Sequence, residues 1–391
     1  MMSKEKRRVP KLRFPGFTED WEQRKFKDIA FKRGKISEAD LPYVEFEDIN
    51  SGIGTLNKNI SQKVGHKKGL LFEAGDVLFG KLRPYLQNWL LCQFAGIAVG
   101  DFWVLQPQNV SSAFLYYLIQ SEAYQSVANI SSGTKMPRSS WPLVSETLFS
   151  IPKYKEANMI GEFFLLIDRT ITLHQRKLNN LKLKKKALLQ KLFPKNEERY
   201  PELRFPGFTD AWEQRKLGSL ATVEMNKRIF KEQTTIKGDI PFYKIGTFGS
   251  DADSFISREL FKEYKNKYPY PNIGDILISA SGSIGRTVVY NGEDAYYQDS
   301  NIVWLNHNGK IDNSFLLQFY NQVKWAGLEG STIKRLYNKN ILETNIALPK
   351  IEEQRLIGKF FELVDRSITL HQRKLDHLQL QKKALLQQMF V

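Results

Sequence analysis

The sequence predicts an α+β protein with a pseudo-two-fold repeat, in which two mixed α/β globular domains alternate with two long helices. Three observations predict this class: the chain repeats itself, the repeated parts carry an apolar heptad pattern, and the parts between them carry short strand-like runs. With 391 residues, 42% of them apolar, the chain is long enough to build more than one core.

The repeat consists of two blocks. Residues 12–25, LRFPGFTEDWEQRK, recur at 203–216 as LRFPGFTDAWEQRK. Residues 160–190 recur at 357–387 with identity at 23 of 31 positions. Between the blocks only fragments match, such as GDVLF from Gly75 and GDILI from Gly274. Each half of the chain is therefore a variable globular segment followed by a constant helical one.

The constant segments are predicted to be long helices that pair as an antiparallel intramolecular coiled coil. Their apolar residues alternate in steps of four and three, which is typical of a coiled-coil seam. An antiparallel arrangement is favoured because a whole globular segment separates the end of one helix from the start of the other. The predicted central seam positions are Ile167, Ile171, His174, Leu178, Leu181, Val364, Ile368, His371, Leu375 and Leu378.

This organisation predicts five consecutive parts. They are a first globular domain over residues 1–155, a helix over 156–193, a linker over 194–202, a second globular domain over 203–352 and a helix over 353–391. Inside the globular domains the patterns predict strands over 76–80, 98–105, 240–248, 275–279, 287–290 and 297–305, and a helix over 113–126.

The duplicated Phe-Pro-Gly-Phe motif precedes Trp21 in one copy and Trp212 in the other. Aromatic residues around a Pro-Gly turn usually pin a loop to a core. We therefore expect these residues to dock each globular domain or helix end. The alternative is a surface for a partner that is present twice.

The balance of charge points to a polyanion. The formal net charge is +16 and the pI is near 9.5, which favours nucleic acid as a partner. Most of the excess lies in residues 1–13, 156–193 and 353–391. The globular domains would therefore bind nucleic acid through local patches.

Basic and hydroxyl side chains in matching loops are the candidate DNA contacts. Arginine can read guanine edges, while lysine, serine and threonine commonly hold phosphates. For any single position, a solvated surface charge is an equally good interpretation. The candidates are Lys81, Arg83, Tyr85, Lys135 and Arg138 in the first domain, and Ser281, Ser283, Arg286, Lys334 and Arg335 in the second.

The sequence offers no catalytic set, metal site or cofactor motif. Cys92 is the single cysteine, and the five histidines have no metal-ligand spacing. The most apolar stretch, over 86–99, is interrupted by polar residues, and the N-terminus lacks the apolar core of a secretory signal. We therefore expect a cytoplasmic, non-catalytic protein that does not span a membrane.

Over nearly the whole chain, these motifs resemble the specificity subunit of type I restriction–modification enzymes. The resemblance rests on GDVLFGKLRPY and GDILIS, on the GTK and GSTIK segments, and on the two units that run from Pro-Lys into a long helix. Glu353-Gln354 matches a frequent family signature at the start of the second helix, and the first helix departs from it with Glu156-Ala157.

The resemblance implies two target-recognition domains that read an asymmetric bipartite site on double-stranded DNA. It also implies two methyltransferase (modification) subunits, which bring S-adenosylmethionine, and restriction/translocase subunits, which use ATP. This chain itself would bind no cofactor. Two alternatives stay open: a two-domain DNA-binding scaffold or regulator unrelated to restriction, and a structural coiled-coil adaptor.

Overall fold

The computed structural model describes residues 9–130, 136–195, 198–325 and 335–391, and it divides the chain into two compact units. The first unit joins Met1–Arg176 with Gln372–Val391, and the second comprises Lys177–His371. Both boundaries fall inside long helices. The domain limits that the sequence suggests stay a prediction.

The described residues of the first unit form short strands that are mostly antiparallel. These strands are β1 (Glu22–Lys25), β2 (Ala30–Arg33), β3 (Ile36–Ser37), β4 (Asp40–Val44), β5 (Ile49–Asn50), β6 (Thr55–Leu56), β7 (Val64–His66), β8 (Gly69–Phe72), β9 (Val77–Gly80), β10 (Trp89–Leu91), β11 (Gly96–Ala98), β12 (Phe102–Pro107) and β13 (Leu148–Ile151).

Two sheets dominate the first unit. One has the order β10-β9-β12-β2 and is antiparallel throughout. The other has the order β3-β8-β11-β4-β7, in which β11 and β4 run parallel. The strand predicted over 98–105 is in fact β11 and β12, separated by a turn at Gly100 with φ +108°.

The second unit repeats this plan with fewer strands among its described residues. Its main sheet has the order β15-β21-β18-β19, and its smaller sheet, β17-β16-β20, keeps the one parallel pair, β16 with β20. The strands are β14 (Glu213–Lys216), β15 (Thr222–Glu224), β16 (Ile240–Tyr243), β17 (Phe255–Ile256), β18 (Ile276–Ser279), β19 (Thr287–Val289), β20 (Tyr296–Tyr297), β21 (Ile302–Asn306) and β22 (Asn345–Leu348).

Short helices cover the sheets, and two helices are much longer. The helix predicted over 113–126 is broken in two because the hydroxyl of Ser121 caps a new helix by accepting from the backbone N of Tyr124. The helices are α1 (Ser112–Leu118), α2 (Glu122–Ala128), α3 (Trp141–Glu146), α4 (Tyr154–Leu192), α5 (Arg258–Lys267), α6 (Asn313–Tyr320), α7 (Asn338–Glu343) and α8 (Ile351–Met389).

The strands predicted for the second globular segment are confirmed in part. The run over 275–279 is β18 and the run over 287–290 is β19. The run over 240–248 is a strand only as far as Tyr243, and the run over 297–305 is divided between β20 and β21.

The long helices pair antiparallel within each unit. In the first unit, Nζ of Lys382 on α8 lies 2.7 Å from a carboxylate oxygen of Asp168 on α4. In the second unit, Lys185 on α4 makes the same 2.7 Å contact with Asp365 on α8. The two pairs occupy matching positions of the repeat, so Lys185 and Lys382 each have a carboxylate on the opposite helix.

The ends of the long helices complete the cores of the two units. Phe390, directly after α8, packs with its ring centroid 5.4 Å from that of Phe114 in the first unit. Phe193, directly after α4, stacks 5.0 Å from Phe315 in the second. Since α4 begins in the first unit and ends in the second, each core takes a helix end from the opposite half of the sequence.

The first repeated block holds these helices in place. The backbone N of Leu12 donates to the carbonyl of Gln388 at 2.9 Å, and Leu203 donates in the same way to Lys191 at 2.8 Å. Trp21 and Trp212 are 2% and 0% exposed in the two cores. These positions agree with the interpretation of the motif as a docking element.

A buried ion pair joins each copy of this block to the start of a long helix. Arg13 binds both carboxylate oxygens of Glu156 at 2.6 and 2.8 Å. Arg204 binds Glu353 in the same bidentate way at 2.8 Å. Both glutamates are 1% exposed. The departure at Glu156-Ala157 therefore leaves the helix start unchanged, because it retains the glutamate that the arginine needs.

Candidate nucleic-acid interface

The first candidate loop leaves the β10-β9-β12-β2 sheet of the first unit at the end of β9. Gly80 is needed there because a Cβ would lie 2.6 Å from the ring of Phe46. Arg83 then adopts a left-handed backbone with φ +49°, directly before a short 3-10 turn over Pro84–Leu86. This path leaves Arg83 and Tyr85 exposed to solvent.

A second segment pairs with this loop and brings another candidate to it. Leu82 forms an isolated β-bridge with Arg138. The backbone N of Arg83 donates to the carbonyl of Pro137 at 2.7 Å, and that of Ser139 donates to Lys81 at 2.9 Å. Arg138 is thus a neighbour of Lys81 and Arg83 although it is far from them in the sequence.

Two residues of this cluster were not predicted. Asp101 lies in the turn before β12 and accepts from Arg138, with its Oδ2 at 3.0 Å from Nη2 and 3.1 Å from Nε. Its Oδ1 lies 3.4 Å from Nζ of Lys81. Lys32 on β2 has its Nζ 4.8 Å from the ring centroid of Trp141. Burial, together with the charge of Lys81, lowers the pKa of Lys32.

The sequence held only a weak signal for these two residues. Lys32 lies on a strand and Asp101 directly before one, and nothing in a single sequence says which strands pair. The register of the sheet, with β12 between β9 and β2, is what brings them to the loop.

The second candidate loop follows β18 and is held mainly by hydroxyl groups. The side chain of Ser279 donates to the carbonyl of Ser283 and accepts from the backbone N of Arg286 at 2.9 Å. The guanidinium of Arg286 donates to the carbonyl of Phe248 at 2.8 Å. Gly282 and Gly285 have φ of +63° and +82°, which permits the tight turn between them.

Here too a second segment pairs with the loop. Ser281 forms an isolated β-bridge with Arg335, and its hydroxyl donates to Oδ1 of Asn301 at 2.8 Å. Nη2 of Arg335 donates to the hydroxyl of Ser300 at 2.9 Å. The structure therefore brings Ser281 and Arg335 together, with Ser283 and Arg286 on the same loop. Ser300 and Asn301 belong to the cluster and were not predicted.

Two predicted contacts, Lys135 and Lys334, lie outside the described residues. The role of the other eight in binding DNA stays a prediction.

The ten predicted seam residues are all buried or half-buried. Leu178 and Leu375, at matching positions of the two helices, are 1% and 2% exposed. Their assignment to a seam stays a prediction, and so does that of Ile167, Ile171, His174, Leu181, Val364, Ile368, His371 and Leu378.

The chemistry available in both clusters is hydrogen bonding and positive charge. Guanidinium, ammonium and hydroxyl donors at the surface suit phosphates and base edges. In the part of the chain that the structure describes, no group of three or more His, Cys, Asp or Glu side chains could hold a metal ion. No described helix is both long and apolar enough to cross a membrane.

Comparison with known proteins points to one family. A profile of the type I restriction modification DNA specificity domain matches twice, over residues 18–183 and 209–380. A putative type I restriction enzyme specificity subunit of Haemophilus influenzae is 54% identical over 158 residues, which are 39% of this chain and 41% of that protein. A type I specificity subunit of Methanocaldococcus jannaschii is 22% identical over 96% of this chain and 92% of its own length.

Solved structures show the same fold. The S subunit of a type I restriction–modification system from M. genitalium has a TM-score of 0.61 at 15% identity, over 98% of this chain and 99% of that one. A chain from a structural study of complex assembly in a type I system has a TM-score of 0.57 at 20% identity, over 97% of each chain. Because the two profile matches together cover most of the sequence, the chain belongs to the type I restriction modification DNA specificity family, whose members are generally non-catalytic subunits that recognise DNA.

Proposed function

We propose that this chain reads an asymmetric bipartite target on double-stranded DNA for a type I restriction–modification complex. The first target-recognition domain, over residues 1–155, reads one half-site and the second, over 203–352, reads the other. The helices over 156–193 and 353–391 are the conserved spacer segments, and the linker over 194–202 connects the halves. Methylation and cleavage then belong to partner subunits.

The observation that carries this proposal is a shared loop scaffold with different side chains. In each unit the loop after β9 or β18 forms a β-bridge to a distant segment, through Leu82 and Arg138 or through Ser281 and Arg335. The loop of the first unit carries lysine and arginine, and the loop of the second carries serine and arginine. Two readers built on one scaffold with unlike side chains suit two unlike half-sites.

Exposed leucines on the long helices support two copies of one partner. The first unit exposes Leu166, Leu173 and Leu380 at 62%, 67% and 67%. The second unit exposes their counterparts in the repeat, Leu363, Leu370 and Leu183, at 56%, 67% and 65%. Large apolar side chains that recur in this way on solvent-facing positions mark a protein interface. We assign this surface to two modification subunits, one for each unit.

The remaining partners follow from the family. Restriction/translocase subunits would join the complex and supply ATP-driven translocation and cleavage. Family membership favours this function over a DNA-binding scaffold or regulator unrelated to restriction.

The test is an exchange of one reader. Residues 26–150 are replaced by the corresponding segment of another specificity subunit, the chain is expressed with its modification subunit, and methylated sites in the host genome are sequenced. We expect one half-site to change and the other to stay the same. The matched exchange of residues 217–347 should change only the other half-site.

Methylation that changes at both half-sites after either exchange contradicts the division into two readers. Unchanged methylation after both exchanges contradicts the assignment of reading to these segments.

A further inference from the structure

Asp101 is a carboxylate in the middle of a basic cluster. Its side chain is 29% exposed, and it contacts one cation from each of the two paired segments, Lys81 at 3.4 Å and Arg138 at 3.0 Å. Lys32, which lies close enough to Lys81 for the two charges to interact, and Arg83, whose backbone N donates to Pro137, add further positive charge to the cluster. In a surface that binds a polyanion, a negative charge at this place weakens the attraction to every phosphate nearby.

The backbone of the cluster does not depend on this carboxylate. The backbone N of Lys81 donates to the main-chain carbonyl of Asp101 at 2.8 Å, and the backbone N of Ser139 donates to Lys81 at 2.9 Å. An ion pair between side chains as exposed as these contributes little to stability, about 0–1 kcal/mol. The carboxylate therefore acts mainly on the side chains of Lys81 and Arg138 and on the local charge.

The contact also fixes how Arg138 faces outward. Both Nε and Nη2 donate to the same oxygen, Oδ2 of Asp101. One edge of the guanidinium is then occupied, and both N–H groups of Nη1 and the second N–H of Nη2 are left to an incoming group. An arginine held in this way is ordered before it meets a base, which reduces the entropy lost on binding.

The second unit has a neutral residue at the matching place. Trp103 on β12 lies opposite Phe79 on β9, and Val303 on β21 lies opposite Ile278 on β18. Phe79 and Ile278 are the fifth residues of the matching GDVLF and GDILI motifs. Two residues before Trp103 and Val303 stand Asp101 and Asn301. Asn301 accepts from Ser281, so the position again contacts the reading loop, but without charge.

We propose that Asp101 is a positioning residue that sets the specificity of the first half-site. It holds Lys81 and Arg138 in a fixed arrangement for base recognition and lowers the affinity of this reader for DNA of any sequence. The inference rests on the proposed function, because it presupposes that this cluster reads DNA.

The test compares Asp101→Asn with the unaltered chain, each as the full chain with its modification subunit. Binding is measured to a target duplex, to duplexes altered in one half-site and to an unrelated duplex, over a range of salt concentrations. We expect the variant to bind the unrelated duplex more tightly. The slope of the logarithm of the binding constant against the logarithm of the salt concentration should be steeper by about one to two units, because Lys81 and Arg138 lose their carboxylate partner and can each neutralise a phosphate. Its discrimination at the first half-site should fall roughly ten-fold, and discrimination at the second should not change.

Glu146→Gln is the matched control. Glu146 accepts from Lys25 and Lys27 at 2.7 Å each in the same unit, so this variant also removes one carboxylate that pairs with two cations. It changes the net charge by the same amount, and we expect no loss of discrimination at either half-site.

Asn301→Asp is the reciprocal variant and keeps the test decisive if Asp101→Asn does not fold. It should weaken binding to the unrelated duplex and alter discrimination only at the second half-site.

Three outcomes decide between the inference and the function on which it rests. If the unaltered chain discriminates both half-sites and the Asp101 and Asn301 variants leave this discrimination unchanged, the role of this position is wrong and the proposed function stands. Loss of discrimination in Glu146→Gln as well means that net charge alone is responsible, which also overturns the inference. If the unaltered chain discriminates neither half-site, the proposed function itself fails.

Discussion

The two units are almost the same where they hold the long helices and differ where they carry the candidate reading loops. At the helices, Arg13–Glu156 corresponds to Arg204–Glu353, with the same bidentate geometry. At the loops, a carboxylate in one unit corresponds to an amide in the other. A surface that meets the same partner twice keeps its chemistry, whereas a surface that meets two different ligands has to change it.

The largest expected loss of stability is in the two cores, where the comparison predicts that matching substitutions have equal effects. Trp21→Ala and Trp212→Ala each leave a cavity in a core, which typically costs about 3–5 kcal/mol of unfolding free energy. Hydrogen exchange measured by mass spectrometry should show lost protection in the unit that carries the substitution. If both variants stay fully protected but lose their partner subunits, the tryptophans belong to a partner surface.

A smaller effect is expected at the exposed leucines. Leu166→Asp and Leu363→Asp place a charge at matching positions, 62% and 56% exposed, of the proposed partner surface. Each should weaken the binding of one modification subunit roughly ten-fold or more, because a charge buried in an interface loses its hydration. Native mass spectrometry should then show one modification subunit for each chain instead of two.

Gln190→Asp and Gln387→Asp are the controls for that measurement. Both glutamines are exposed, occupy matching positions of the helices and receive the same charge. Loss of a subunit in the control variants contradicts the placement of the interface on the leucines.

The smallest effect separates the two helix pairs. Asp168→Asn should cost about 1–2 kcal/mol of unfolding free energy, because it leaves Lys382 without a carboxylate at only 12% exposure. Asp168 also accepts from the hydroxyl of Tyr117 at 2.7 Å, and burial, with the charge of Asp168, raises the pKa of that tyrosine.

Asp365→Asn should cost less, about 1 kcal/mol or below, since Asp365 is 37% exposed and its pair with Lys185 is better screened. Urea unfolding followed by circular dichroism measures both. Equal losses in the two variants contradict the asymmetry.

The repeated parts of the fold could be predicted from the sequence because both signals there are local. Heptad spacing gave the long helices, and identity between the two blocks gave their equivalence. The antiparallel pairing followed from the intervening length of chain. The breaks at Gly100 and Ser121 were missed because an interruption of three residues hardly disturbs the pattern of apolar residues over 98–105 and 113–126.

The candidate site was less accessible to sequence reasoning. Basic and hydroxyl residues in matching loops could be found by aligning the two halves, and this gave Lys81, Arg138, Ser281 and Arg335. Asp101 and Asn301 could not be found in this way, because their importance depends on which strand lies beside β9 and β18. That information is in the sheet register and in no local motif.

The division of the long helices between the units has a consequence for biosynthesis. Residues 177–371 form the second unit from one uninterrupted stretch of chain. The first unit takes Met389 and Phe390 into its core. The ribosome therefore synthesises every residue of the second unit before it synthesises Met389 and Phe390, which the core of the first unit requires. The rest of the first unit, up to Arg176, is translated before the second unit. The half of the molecule that is made first is the half that is finished last.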